Sequence, residues 1–97
     1  MTNPYRLARQ EHVGDMLDEL ARRGRLGWKW DYNFEKSRAI YRVAIVDKIL
    51  VLDTKKAEEL VQRECDELGI RWKPVPHPGG QSLRDEVNEW IANPEAP

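Results

Sequence analysis

Asp53-Thr54-Lys55 follows the apolar run Ile49 to Leu52, so a carboxylate and an ammonium stand two residues apart where a strand gives way to a helix. Charges of opposite sign held this close can act together in chemistry or simply pair with one another. On the expected strand pairing Asp31, Arg42 and Asp53 share one row across the sheet, with Lys55 just beyond it. The same row has a plainer chemistry. A cross-strand ladder of ion pairs contributes about a few tenths of a kcal/mol per pair, and Asp53-Thr54 is an ordinary helix start.

An α-β-β-β-α-β order with Asp-x-Lys closing the third strand resembles the core of the PD-(D/E)xK nucleases, and Leu50-Val51-Leu52-Asp53-Thr54-Lys55 is similar to their metal-binding strand. The resemblance implies Mg²⁺ on Asp53 and a water-orienting role for Lys55. That family sets a second carboxylate beside the first; here the expected neighbour of Asp53 is Arg42, Asp31 lies a strand further away, and the chain has no Pro-Asp dipeptide. The order also resembles double-stranded-RNA-binding domains, with Lys55-Lys56 placed like their lysine pair at the start of the second helix. Glu58 and Glu59 follow at once, and the family's Gly-Pro-x-His loop is missing.

Trp28 to Phe34 reads W-K-W-D-Y-N-F, an alternation that only an extended strand explains. Trp28, Trp30, Tyr32 and Phe34 share one side, as core or as a surface on which bases stack. The flanking cations are Arg22, Arg23, Arg25, Lys29, Lys36, Arg38 and Arg42, but no Lys/Arg-Gly-aromatic signature of RNA-recognition motifs is present. Pairing the aromatics with Ala39 to Ile45 gives apolar partners throughout and favours core. His12 and His77 lack the spacing of metal ligands, and Cys65 lies on an apolar helical stripe, where a thiol is a small hydrophobe. Neither a metal site, a cofactor site nor a catalytic nucleophile with its base is expected.

The elements that position these residues follow from caps and periodicity. Asn3-Pro4 starts a first helix with apolar residues at Tyr5, Ala8, Val13, Met16, Leu17, Leu20 and Ala21, and Gly24 closes it. The aromatic strand follows, then a four-residue turn Glu35 to Arg38, a strand Ala39 to Val46, a turn at Asp47-Lys48 and a strand Ile49 to Asp53. This register sets Phe34 beside Ala39 and Tyr32 beside Tyr41. A second helix buries Ala57, Leu60, Val61, Cys65 and Leu68 and ends at Gly69. Ile70 to Lys73 is a short edge strand limited by Pro74. Ser82 with Asp85 opens a last helix carrying Leu83, Val87, Trp90 and Ile91 on one side.

The expected architecture is a single α+β domain over residues 1–97, a three-stranded antiparallel meander with a short fourth edge strand and helices on its aromatic face, ordered α-β-β-β-α-β-α. At 97 residues roughly 60–65% of the unfolded chain's surface can be buried, which is one modest core. Sixteen basic against seventeen acidic residues weigh against affinity built on broad attraction to phosphate. The charge is nonetheless uneven: Arg22 to Lys48 holds eight positive and three negative side chains, residues 49–97 six and ten. With one cysteine and no apolar run of membrane length, the expectation is a cytoplasmic protein with no membrane attachment. Function is expected to be binding without catalysis: an accessory or regulatory protein, of the size common in phage and mobile-element genomes, that takes a protein partner or self-associates. Its expected surface is Lys29, Lys36, Arg38 and Arg42, with Trp90 on the last helix. Nucleic-acid binding, in the manner of either resemblance above, is the alternative.

Overall fold

The computed structural model describes residues 4–76 of the chain, in the order α1 (Pro4–Arg22), β1 (Gly27–Asn33), β2 (Arg38–Ile45), β3 (Lys48–Asp53) and α2 (Thr54–Leu68). It is a small α+β fold. Both helices end on a glycine in the left-handed region, Gly24 and Gly69, each at φ 72°. At the first, the Gly24 N–H donates to the Ala21 carbonyl and the Arg25 N–H to the Leu20 carbonyl; at the second, Gly69 and Ile70 do the same to Asp66 and Cys65. These bonds satisfy carbonyls that a helix end leaves open. Asp53 caps α2, its carboxylate accepting from the Lys56 N–H at 2.9 Å.

The strands form an antiparallel meander, β1-β2-β3, in a register shifted by two residues from the expected one at both pairings. Asn33 faces Arg38 and Ile45 faces Lys48. A shift of two preserves which side chains share a face, so apolar patterning cannot distinguish the two registers. The turns do. The Asn33 carboxamide oxygen accepts from the Lys36 N–H, drawing Phe34 into the first loop, where Ser37 takes φ 48°. In the second, Val46 and Asp47 take φ 31° and 64°, the pair of positive values a two-residue hairpin turn requires.

Helices and sheet make two layers around Val13, Leu17, Leu20, Leu26, Tyr41, Val43, Leu60, Val61 and Cys65, all buried. Gly14 lets the Trp28 ring come close, since a Cβ there would lie 3.3 Å from it, and the Trp28 indole N–H donates to Asp18 at 2.8 Å. Arg9 on α1 and Glu58 on α2 form a two-bond ion pair inside the helix contact, a buried polar feature that a list of apolar residues passes over. Ala8, expected on the buried stripe, is exposed, and Arg9 takes that side of the helix. Ile70–Lys73 joins no strand. Instead residues 70–76 form a strap along α1, with Trp72 buried and stacked on His12 at 5.0 Å, the Lys73 carbonyl 2.8 Å from His12 Nε2, and the Tyr5 hydroxyl donating to the Val75 carbonyl. The strap places the Lys73 and Val75 carbonyls against donors on a helix, where an edge strand would use a neighbour in the sheet, while the buried Trp72 indole N–H has no hydrogen-bond partner. The expected last helix, with Leu83, Val87, Trp90 and Ile91, lies outside the described residues.

Candidate functional site

Alternation along three strands gives the sheet two faces, and the helices cover only one of them. On the other, the pairing sets three rows: Asp31, Ile40 and Asp53; Lys29, Arg42 and Val51; Gly27, Ala44 and Ile49. Among the described residues no element lies over this face. It carries cations on β1 and β2 and an apolar lane on the edge strand β3, where Ile49 is 74% and Val51 60% exposed. Val46, at the tip leading into that strand, is also exposed.

The expected row Asp31, Arg42 and Asp53 is not formed. Asp53 faces Ile40, because the register moved by two. Arg42 still meets Asp31, diagonally, Nε to Oδ2 at 2.9 Å, and its direct neighbour across the strands is Lys29. Two cations face to face are unfavourable in a sheet, and the Asp31 carboxylate offsets one of them. Asp31 and Asp53 lie two strand spacings apart, about 10 Å between backbones, with Ile40 between them and the Asp31 carboxylate paired with Arg42. Asp53 spends its carboxylate on the α2 cap. No group of three His, Cys, Asp or Glu side chains that could hold a metal occurs among the described residues.

Of the seven flanking cations, three are committed on the helix side. Arg22 and Arg23 pair with Glu19, whose carboxyl their hydrogen bonds hold below its ordinary range. Arg25 bridges Glu64 and Glu67 at the far end of α2. Lys29, Lys36, Arg38 and Arg42 remain together on the β1–β2 hairpin, and all four are exposed. Lys29, Arg38 and Arg42 stand on the bare face and Lys36 in the turn beside it. Trp90, the fifth residue expected at the surface, lies outside the described residues. At the start of α2 Lys55 and Lys56 are exposed, Glu58 turns inward to Arg9, and Glu59 stays outside.

The aromatic face divides in a way the sequence does not foretell. Trp28 packs on the core beside Tyr41. Trp30 is 48% and Phe34 84% exposed, so the expectation that all four rings serve as core is corrected. α1 lies against β1 at its Trp28 end and α2 against β2 and β3, and further along β1 Trp30 and, in the turn beyond it, Phe34 are left exposed. His12 is held by Trp72 and the strap, and burial pushes the Cys65 thiol up, so neither is presented for chemistry. No helix among the described residues is long and apolar enough to cross a membrane.

No family model matches this chain, and no match was found among curated proteins or among solved structures.

Proposed function

We propose that this domain is a binding module without catalytic chemistry of its own, an accessory or regulatory protein whose bare sheet face takes a protein partner. The observation that carries this reading is the apolar lane Ile49 and Val51 on an edge strand, uncovered among the described residues. Edge strands with apolar, exposed side chains pair with other chains unless they are short, charged or covered, and a patch of this kind rimmed by charge is the usual form of a protein-binding surface. Here Lys48 and Asp53 guard only the two ends. Val46 adds to the argument: a β-branched residue at φ 31° is strained, and strain of about 1–3 kcal/mol concentrates at functional positions. An incoming strand on β3 would supply main-chain hydrogen bonds, with Ile49 and Val51 reading its side chains and Lys29 and Arg42 favouring acidic ones. The buried free thiol of Cys65 fits a reducing compartment, in keeping with a cytoplasmic setting.

The test compares the full chain with Ile49→Lys/Val51→Lys in pull-downs from host lysate, each with nuclease treatment. A protein retained by the native chain, insensitive to nuclease and lost in the variant, is the expected result. Equal recovery with both chains would contradict the reading. Circular dichroism must show the variant folded, as expected for substitutions at exposed positions.

A further inference from the structure

We infer that the partner meets the bare sheet face with an acidic, apolar polypeptide segment, and that Lys29 beside Arg42 is the place that receives one of its carboxylates. This inference rests on the protein-binding reading and adds the partner's chemistry to it. Lys29, Arg42 and Val51 are direct neighbours in one row across the sheet, and Ala44 and Ile49 are neighbours in the next. All five are exposed. Cations and aliphatic side chains therefore form one continuous surface on the same side of the strands.

The two cations stand opposite each other, and only one is offset. Arg42 Nε lies 2.9 Å from the Asp31 carboxylate, whereas Lys29 makes no ion pair among the described residues. Like charges set opposite each other in a sheet are destabilising, so a carboxylate brought in by a partner relieves a cost that the free domain carries. The rest of the face selects against a polyanion. With Arg38 it holds three cations against Asp31 and Asp53, an excess too small for affinity built on many phosphate contacts. It also presents no aromatic ring on which a base could stack. What remains is an aliphatic lane beside a cation without its counter-charge, which is complementary to apolar side chains flanked by Asp or Glu. A strand added at the open edge of β3 would lie three strand spacings, about 14 Å, from β1. Side chains stand across a sheet and not along that line, so the segment that meets Lys29 lies over the face itself.

The experiment selects a displayed library of random peptides on the full chain and sorts the binders against Ile49→Thr/Val51→Thr, which removes most of the apolar lane without adding charge. Peptides lost on that variant and enriched in Asp and Glu beside apolar residues are the expected result. One of them, synthesised with a fluorescent label, should lose affinity on the order of tenfold on Lys29→Glu and should weaken as salt rises from about 50 to 200 mM. Oligo-dT should not displace it. Peptides that need Ile49 and Val51 yet carry no acidic excess would overturn the inference and leave the protein-binding reading standing. Unchanged affinity for Lys29→Glu, with circular dichroism showing the variant folded, would do the same. Displacement by oligo-dT would overturn it in favour of a polyanion. If no selected peptide depends on Ile49 and Val51, the protein-binding reading fails and the inference falls with it.

Discussion

Arg9→Met should lower the free energy of unfolding by about 3–5 kcal/mol, because it leaves the Glu58 carboxylate in a site that water barely reaches. The guanidinium meets that carboxylate through Nε to Oε2 at 2.9 Å and Nη2 to Oε1 at 2.5 Å, and the two side chains are 4% and 9% exposed. Mutual attraction offsets the cost of taking both charges out of water; removing one leaves the cost of the other. A chain of 97 residues has roughly 5–15 kcal/mol of stability to lose. At about 4–8 °C per kcal/mol for a domain of this size, the melting temperature should drop by at least about 12 °C. Glu58→Leu should act in the same direction. The double replacement Arg9→Met/Glu58→Leu should recover most of the loss, since an apolar pair of similar volume at the α1–α2 contact leaves no charge unpaired. Urea unfolding of the four proteins, with unchanged m-values, measures the cycle. Single substitutions costing less than about 1 kcal/mol would refute the reasoning, for the pair would then behave as a solvent-screened surface bridge.

Val46→Asn should stabilise the fold by about 1 kcal/mol, because asparagine tolerates the positive φ that a β-branched residue resists; a thermal melt shows it, and a loss of stability would place the strain elsewhere. Asp53→Ala should cost about 1 kcal/mol while Asp53→Asn costs little, since an amide oxygen can still accept from the Lys56 N–H. Equal losses in chemical denaturation would argue against a capping role. Burial raises the Tyr41 hydroxyl from the ordinary 10.0 to about 12, so the fold favours its neutral form. That contribution is complete below pH 10 and lost between pH 10 and about 12; stability measured across this window should fall less steeply in Tyr41→Phe.

The limits of both helices are legible in the residues that end them: Pro4, Gly24, the Asp53 cap and Gly69 each have a backbone reason to be where they are. The faces of the strands are legible too, because a period of two admits one assignment. Register is not, since a shift of two residues leaves every face intact and the decision passes to the Asn33 carboxamide and to Val46 and Asp47. This small difference moves Asp53 from beside Arg42 to beside Ile40 and takes away the row of charges that suggested metal chemistry. The grouping of Lys29, Arg38 and Arg42 on one face survives the shift because all three keep their parity.

Exposure of Trp30 and Phe34 was beyond the reach of periodicity, which assigns a side of the strand but not how far the helices extend over it. The apolar lane on β3 is a related case. Ile49 and Val51 read as strand-forming residues, and only the three-dimensional arrangement reveals that their side of the sheet has no cover among the described residues. Arg9 could have been found: with Val13, Leu17 and Leu20 it lies on one helical stripe, and Glu58 lies with Val61 and Cys65 on another. Opposite charges on two facing stripes are the signal for a buried pair.

The bare sheet face as a protein-binding surface is tested most directly by site-specific photo-crosslinking in the native host. A photoreactive side chain placed in turn at Ile49, Val51 and, as a control on exposed α2, Glu59 reports what each position touches. The expected result is a discrete crosslinked polypeptide from Ile49 and Val51, unaffected by nuclease and absent from Glu59. Crosslinks of equal yield from all three positions, or none from either β3 position in folded protein, would contradict it.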